Sequence, residues 1–125
     1  MKTLREIMSE RPATVGPQTS MYEALSLMDA LPCRHLPVVE DGRVVGIVSE
    51  RDLLHRDVGL SAPVSSCMTG QILYLDAGRP VSEAIGVMLE FRVSSIPVTD
   101  GTHLVGIVTT TDLLRYLAEI LAATA

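Results

Sequence analysis

The chain has 125 residues, of which 47% are hydrophobic and 20% are charged, and its formal net charge at pH 7 is −5. This length suits one ordinary domain with its own core, and the high apolar content excludes an intrinsically disordered chain. The negative charge and an aromatic content of only 3% argue against a nucleic-acid partner held by a basic or base-stacking surface.

Membrane and secretion signals are also missing from the sequence. No apolar run reaches the roughly 18 residues that span a bilayer, and the first residues lack the apolar segment of a signal peptide. Cys33 and Cys67 stand in no metal or redox spacing and are expected to be reduced thiols. These features predict a cytoplasmic protein with no membrane partner.

The sequence repeats itself at an offset of 60 residues without a gap. The identical pairs are Met8 and Met68, Glu23 and Glu83, Ala24 and Ala84, Met28 and Met88, Pro37-Val38 and Pro97-Val98, Val45-Gly46-Ile47-Val48 and Val105-Gly106-Ile107-Val108, and Asp52-Leu53-Leu54 and Asp112-Leu113-Leu114. The chain is therefore interpreted as two copies of one supersecondary unit, residues 1–60 and residues 61–125.

Each copy is predicted to begin with a short helical segment, residues 4–8 or 64–68, followed by a short strand that ends at Val15 or Leu75. Cys67 aligns with the apolar Ile7 in this segment, which predicts that its thiol is buried.

A helix with one buried face follows, because apolar residues recur at the i, i+3, i+4, i+7 spacing. The stripes are Met21, Ala24, Leu25 and Met28 in the first copy, and Val81, Ala84, Ile85 and Met88 in the second. The run from Ser20 to Glu23 resembles a capping box. However, Pro80 stands opposite Ser20 and proline prefers the first helical position, so Thr19 is predicted to be the N-cap.

A β-hairpin comes next in each copy, with strands 36–39 and 44–49 around Asp41-Gly42, and strands 96–99 and 104–109 around Asp100-Gly101. These strands are nearly continuous apolar runs, so both faces of the sheet are expected to be covered. A last helix begins near Glu50 or Thr110. The predicted fold class is α+β, with two tandem β-α-β-β-α repeats packed about a pseudo-two-fold axis.

The ordered set of motifs resembles a tandem pair of CBS (cystathionine β-synthase-like) domains over residues 7–57 and 67–117. The runs that carry the resemblance are Leu36-Pro37-Val38-Val39 and Gly46-Ile47-Val48-Ser49-Glu50-Arg51-Asp52, with Ile96-Pro97-Val98-Thr99 and Gly106-Ile107-Val108-Thr109-Thr110-Thr111-Asp112 in the second copy.

The resemblance implies a stand-alone regulatory module for signal transduction, not an enzyme, that requires no cofactor. It would bind an adenosine-containing ligand, AMP, ADP or ATP, in the cleft between the copies. S-adenosylmethionine and NAD are alternative ligands, and a protein-interaction module without a ligand is an alternative function. The resemblance also implies a homodimer and an effector protein whose identity the sequence does not reveal.

A Ser/Thr-x-x-Asp pattern stands at the end of each hairpin, formed by Ser49 and Asp52 and by Thr109 and Asp112. A hydroxyl group at a helix N-terminus can help to hold a phosphate, and a carboxylate offers two acceptors to the two hydroxyl donors of a ribose. The resemblance implies these roles. The alternative is that the pattern only caps the helix, and the two roles are compatible.

Basic residues cluster in the first copy, where Arg34, His35 and Arg51 stand. The second copy has Ser94, Ser95 and Thr111 at these positions, although Arg92 is nearby. The resemblance implies that the basic side chains reach the phosphates of the ligand. The alternatives are solvated surface charges for the two arginines and a structural role for the histidine.

An adenine ring needs an apolar slot, and the resemblance implies that Thr14, Leu36, Tyr74 and Ile96 contribute to it. The alternative is that these residues belong to the core. The histidines His35, His55 and His103 have no metal-ligand spacing, so neither a metal site nor a catalytic site is predicted. The apolar face of the last helix is a candidate surface for self-association.

Overall fold

The computed structural model describes residues 2–54, 59–70 and 72–124, and its architecture is α+β as predicted. In chain order the elements are α1 (Leu4–Ile7), β1 (Ser9–Glu10), α2 (Met21–Ala30), β2 (His35–Glu40), β3 (Arg43–Ser49), α3 (Glu50–Leu54), a 3-10 helix (Val64–Ser66), β4 (Leu75–Asp76), α4 (Val81–Phe91), β5 (Ser95–Asp100), β6 (His103–Thr109) and α5 (Thr110–Thr124). His55 lies outside the described residues.

The chain forms two compact units whose composition differs from the sequence repeats. One unit is Ala13–Ile72, and the other combines Met1–Pro12 with Leu73–Ala125. The repeat bounds 1–60 and 61–125 describe the sequence periodicity. In space, the segment that opens the first copy belongs to the unit formed by the second copy, and the residues after 60 complete the first.

The unit of residues 13–72 is built on the β2–β3 hairpin. Its antiparallel register places His35 opposite Ser49 and Val38 opposite Gly46. The short strand predicted to end at Val15 is reduced to a single parallel bridge to Val38. The predicted stripe of α2 packs into the core of this unit, whose buried members include Met21, Ala24, Met28, Leu36, Val38, Val48, Val64 and Cys67. The predicted burial of Cys67 is therefore confirmed.

The second unit repeats this arrangement with β5 and β6, in which Ser95 lies opposite Thr109. Strand β4 pairs with β5 in parallel, and β1 pairs with β6 in antiparallel orientation. The fully buried Leu4 of α1 belongs to the same core as Ile96 and Val98. The backbone N–H of Leu4 donates to the carbonyl oxygen of Arg79 at 2.9 Å. Residues 2–12 are therefore an integral part of this unit.

The start of α2 corrects one prediction. Ser20 is the N-cap, because its side chain accepts a hydrogen bond from the Glu23 backbone N–H at 3.1 Å. The prediction of Thr19 was wrong, since Pro80 is itself the N-cap of α4 with φ −70° and ψ 149°. The ring of proline fits the extended backbone of a cap as well as the first helical turn. The Thr19 hydroxyl instead accepts a hydrogen bond from Gly16 N–H at 3.0 Å.

Candidate functional site

The β2–β3 register brings together most of the polar residues predicted for the first copy. His35 lies opposite Ser49, and the backbone N–H of Glu50 donates to the carbonyl oxygen of Arg34 at 2.9 Å. These contacts fix the start of β2 beside the first turn of α3. Arg34, His35, Ser49, Arg51 and Asp52 are called the first-repeat set below.

Ser49 and Asp52 bond to each other in a reciprocal cap. The backbone N–H of Asp52 donates to Ser49 Oγ at 3.1 Å, and the backbone N–H of Ser49 donates to Asp52 Oδ2 at 3.1 Å. The capping role considered from the sequence is thus present in the structure. Asp52 is only half-buried, and within the described part of the chain no donor bonds to its Oδ1 atom. The cap therefore leaves acceptor capacity for a further donor.

His35 is half-buried at the edge of the first-repeat set. Burial lowers the pKa of its imidazole below the usual value because it disfavours the charged form, and the charge of Arg34 acts in the same direction. The carboxylate of Asp52 opposes this shift of the His35 pKa. His35 is accordingly neutral at pH 7, and the fixed positive charges of the set are the exposed side chains of Arg34 and Arg51.

The second copy places Thr109 and Asp112 in the same local geometry, but with more contacts. Asp112 is 6% exposed, and its Oδ2 accepts hydrogen bonds from Thr109 N–H at 2.8 Å and from Thr109 Oγ1 at 3.2 Å. Its Oδ1 lies 3.5 Å from both Ser9 Oγ and Arg115 Nη1. Thr109, Asp112, Ser94, Ser95 and Thr111 are called the second-repeat set.

Ser9 and Arg115 were not identified from the sequence. Arg115 had a local signal, because it stands three residues after Asp112 on one helix and such pairs face each other. Ser9 had a weaker one: the repeat places a hydroxyl residue, Thr69, at the corresponding position.

The four residues proposed for an adenine slot occupy different environments. Leu36 and Ile96 are fully buried in the two cores and present no side-chain surface to a ligand, which favours the core alternative for both. Tyr74 is exposed just before β4. Thr14 is exposed and lines a pocket of about 460 Å³ with Val15, Gly16, Thr19, Glu23, Leu27 and Val39. Because Val39 lies near the end of β2 opposite to His35, this pocket is at the other end of the strand from His35.

Residues 2–54, 59–70 and 72–124 contain no group of three or more His, Cys, Asp or Glu side chains that could hold a metal ion. In the same ranges no helix combines the length and apolar character needed to cross a membrane.

Known proteins resemble the chain over nearly its whole length. The family model for the CBS domain matches residues 4–59 and 64–119. CBS domain-containing protein YhcV of Bacillus subtilis is 30% identical over 117 residues, which cover 90% of this chain and 84% of YhcV.

Two solved structures have the same fold. The CBS domain pair of protein MJ0100, in complex with 5′-methylthioadenosine and S-adenosyl-L-methionine, has a TM-score of 0.89 and 26% identity and covers 95% of this chain and 98% of that chain. CBSX2 in complex with AMP has a TM-score of 0.86 and 28% identity and covers 96% and 98%.

Proposed function

The chain belongs to the CBS-domain family as a tandem pair, and from this premise we propose that it is a non-catalytic regulatory module that binds AMP, ADP or ATP through its first-repeat set. Two similar structures, those of MJ0100 and CBSX2, contain adenosine-based ligands. The observation that carries the proposal is the half-buried Asp52 beside Ser49, His35 and Arg34, whose Oδ1 atom accepts no hydrogen bond from the described residues.

The chemistry of the first-repeat set matches the polar part of an adenine nucleotide. The two hydroxyl groups of the ribose donate hydrogen bonds, and the Asp52 carboxylate accepts them without giving up the bond from Ser49 N–H. The phosphate is a negatively charged hydrogen-bond acceptor. The guanidinium groups of Arg34 and Arg51 can donate paired, charge-assisted hydrogen bonds to phosphate oxygens.

Regulation by such a ligand requires that two conformations of the protein bind it with different affinity. S-adenosylmethionine and NAD also carry an adenosine group and are alternative ligands of the same set. The ribose of either ligand would bind to Asp52 in the same way. The two ligands differ in the charge of the group that would lie near Arg34 and Arg51. The proposed site of action is the cytoplasm, and the ligand would change the affinity of the module for an effector protein.

A second candidate function is protein interaction without a ligand. Helix α5 exposes several large apolar side chains, namely Leu114, Leu117, Ile120 and Leu121. A contiguous apolar surface is typical of an interaction site. The proposed homodimer would use this face, and an effector protein is the alternative occupant.

Calorimetric titration with AMP, ATP, S-adenosylmethionine and NAD tests the ligand proposal. The informative variant is Asp52→Asn. Asparagine keeps one oxygen as an acceptor for Ser49 N–H, but it replaces the other oxygen with an NH2 donor and removes the negative charge. Asp29→Asn makes the same change at an exposed position of α2 and is the matched control.

We expect saturable binding of the adenine nucleotides to the wild type and to Asp29→Asn, and affinity lowered about tenfold or more in Asp52→Asn, as for the loss of one charged hydrogen bond. The melting temperature of Asp52→Asn should stay close to that of the wild type. The proposal fails if no adenosine compound binds, or if Asp52→Asn binds like the control.

A further inference from the structure

Asp112 and Asp52 occupy the same position of the sequence repeat, but their carboxylates differ in available acceptor capacity. Both oxygens of Asp112 are in use, since Thr109 bonds to Oδ2 and Ser9 and Arg115 approach Oδ1. A carboxylate has about four acceptor sites, and the three hydrogen bonds from Thr109 and Ser9 together with the ion pair to Arg115 leave fewer than the two that the ribose hydroxyls need. Asp52 receives one hydrogen bond among the described residues and is more exposed.

The backbone position of Ser9 is fixed by strand pairing. Ser9 lies in β1, where it pairs with Ile107 of β6, and β6 ends at Thr109. Releasing the Ser9 hydroxyl by backbone movement would therefore break the pairing of β1 with β6.

The first unit provides an internal comparison for this contact. Thr69 bridges Ile47 of β3 in the equivalent register, yet its hydroxyl makes no hydrogen bond with Asp52 within the described part of the chain.

The two sets also differ in charge where a phosphate would lie. Arg34 and Arg51 are exposed in the first-repeat set, although Glu50 at the start of α3 contributes one negative charge nearby. The second-repeat set has the uncharged Ser94, Ser95 and Thr111 at the corresponding places. Arg115 does approach that set, but its guanidinium is paired with Asp112.

From these differences we infer that each chain binds one phosphate-bearing adenosine ligand, at the first-repeat set. Ser9 and Arg115 keep the second-repeat set closed, in the sense that they occupy the Asp112 carboxylate that a ribose would need. The inference rests on the proposed function and adds the number of sites and the class of ligand. Ser9 and Arg115 act as positioning residues for Asp112, whose role is to cap α5 and to tie β1 to the start of that helix.

The number of sites is tested by calorimetry on the full chain with AMP, and the ligand class by the same titration with adenosine, which lacks the phosphate. We expect one AMP per chain, with affinity lowered about tenfold or more by Asp52→Asn and by Arg34→Gln. Asp112→Asn should leave both the affinity and the stoichiometry unchanged. Adenosine should bind about tenfold or more weakly than AMP.

Two outcomes of this titration overturn the inference while leaving the proposed function in place. These are two equivalent AMP sites per chain and equal affinity for adenosine and AMP. Loss of binding in Asp112→Asn rather than in Asp52→Asn, or absence of binding by any adenosine compound, overturns the proposed function and the one-site inference together.

The closure of the second-repeat set is tested without a ligand by thermal unfolding. We expect the melting-temperature losses of Ser9→Ala and Asp112→Ala to be less than additive in the double variant, because both remove the same contact. Thr69→Ala and Asp52→Ala form the matched pair in the other unit, and their losses should add. Additive losses for Ser9 and Asp112 would show that the contact does not hold the set closed, and would overturn that part of the inference.

Discussion

Gly46 packs directly against Met68, so closely that a Cβ atom built on the glycine would lie 2.6 Å from the methionine sulfur. The same atom would lie 2.9 Å from the carbonyl oxygen of Thr69. In the other unit, a Cβ atom on Gly106 would lie 2.9 Å from Cγ of Met8 and 3.0 Å from the carbonyl oxygen of Ser9. The glycine in each Val-Gly-Ile-Val run therefore leaves room for a segment of the chain itself.

The first prediction concerns this close approach. Gly46→Ala should destabilise the protein by about 1–3 kcal/mol, because the added methyl group overpacks against both a side chain and a backbone carbonyl. Gly86→Ala is the control, since Gly86 lies in α4 with no atom within 4 Å of the added carbon. This control should gain about 0.5–1 kcal/mol from higher helix propensity. Urea unfolding measures both, and a Gly46→Ala variant as stable as the wild type would contradict the packing.

The second prediction concerns the place of the N-terminal segment. Leu4→Ala should cost about 2–5 kcal/mol, because it removes a fully buried side chain from the core that contains Ile96 and Val98. Leu89→Ala, at a position 77% exposed on α4, should cost little. Amide hydrogen exchange in Leu4→Ala should increase first in residues 75–109. Faster exchange in residues 13–54 instead would contradict the assignment of the segment.

The third prediction concerns the cap of α2. Ser20→Ala should lower the free energy of unfolding by about 1 kcal/mol, since it removes the acceptor for the Glu23 backbone N–H. Ser82→Ala is the control within the first turn of α4, where the side chain is exposed and the cap is Pro80. Chemical denaturation compares the two variants. Equal stabilities would show that the Ser20 hydroxyl contributes nothing as a cap.

The fourth prediction is a pH dependence that arises from His35. Its folded-state pKa lies below 6.5 because of burial, so the unfolded chain binds more protons between the two pKa values. The contribution of His35 to stability is therefore complete above pH 6.5 and is lost as the pH falls through 6.5 toward the folded-state pKa.

This pH dependence is measured as the difference in unfolding free energy between the wild type and His35→Gln, from about pH 8 to about pH 5. As the pH falls, the unfolding free energy of the wild type should decrease relative to that of His35→Gln. His103→Gln, at an exposed position, serves as the control for a general effect of removing an imidazole. The burial of His35 would be contradicted if this difference in unfolding free energy did not depend on pH, or if the wild type gained stability relative to the variant at low pH.

Local signals in the sequence predicted most of the secondary structure. The apolar spacing of Met21, Ala24 and Met28 identified the buried face of α2 correctly. The Asp-Gly pair identified the β2–β3 turn, where Asp41 and Gly42 adopt positive φ angles of 52° and 78°. These features depend on residues close together in the chain.

Two kinds of feature were not predicted from the sequence. Some depend on contacts between residues far apart in the chain, and one depends on which of two adjacent residues caps a helix. The contact of Ser9 with Asp112 joins positions 103 residues apart, and its one signal in the sequence is the hydroxyl residue Thr69 at the equivalent position of the repeat. The assignment of residues 1–12 to the unit that contains residues 73–125 has the same origin. Thr19 and Ser20 are both good caps, and only the backbone of the helix start decides between them.

The division of the chain into Ala13–Ile72 and a unit with parts from both ends has a consequence for protein synthesis. On the ribosome, every residue of the contiguous unit is made before residue 73, so Met21 and Val64 can meet while the rest is still being translated. Leu4 is made before the contiguous unit, but Ile96 and Val98 in its core follow more than ninety positions later. During that interval the apolar residues of the N-terminal segment are without their native partners.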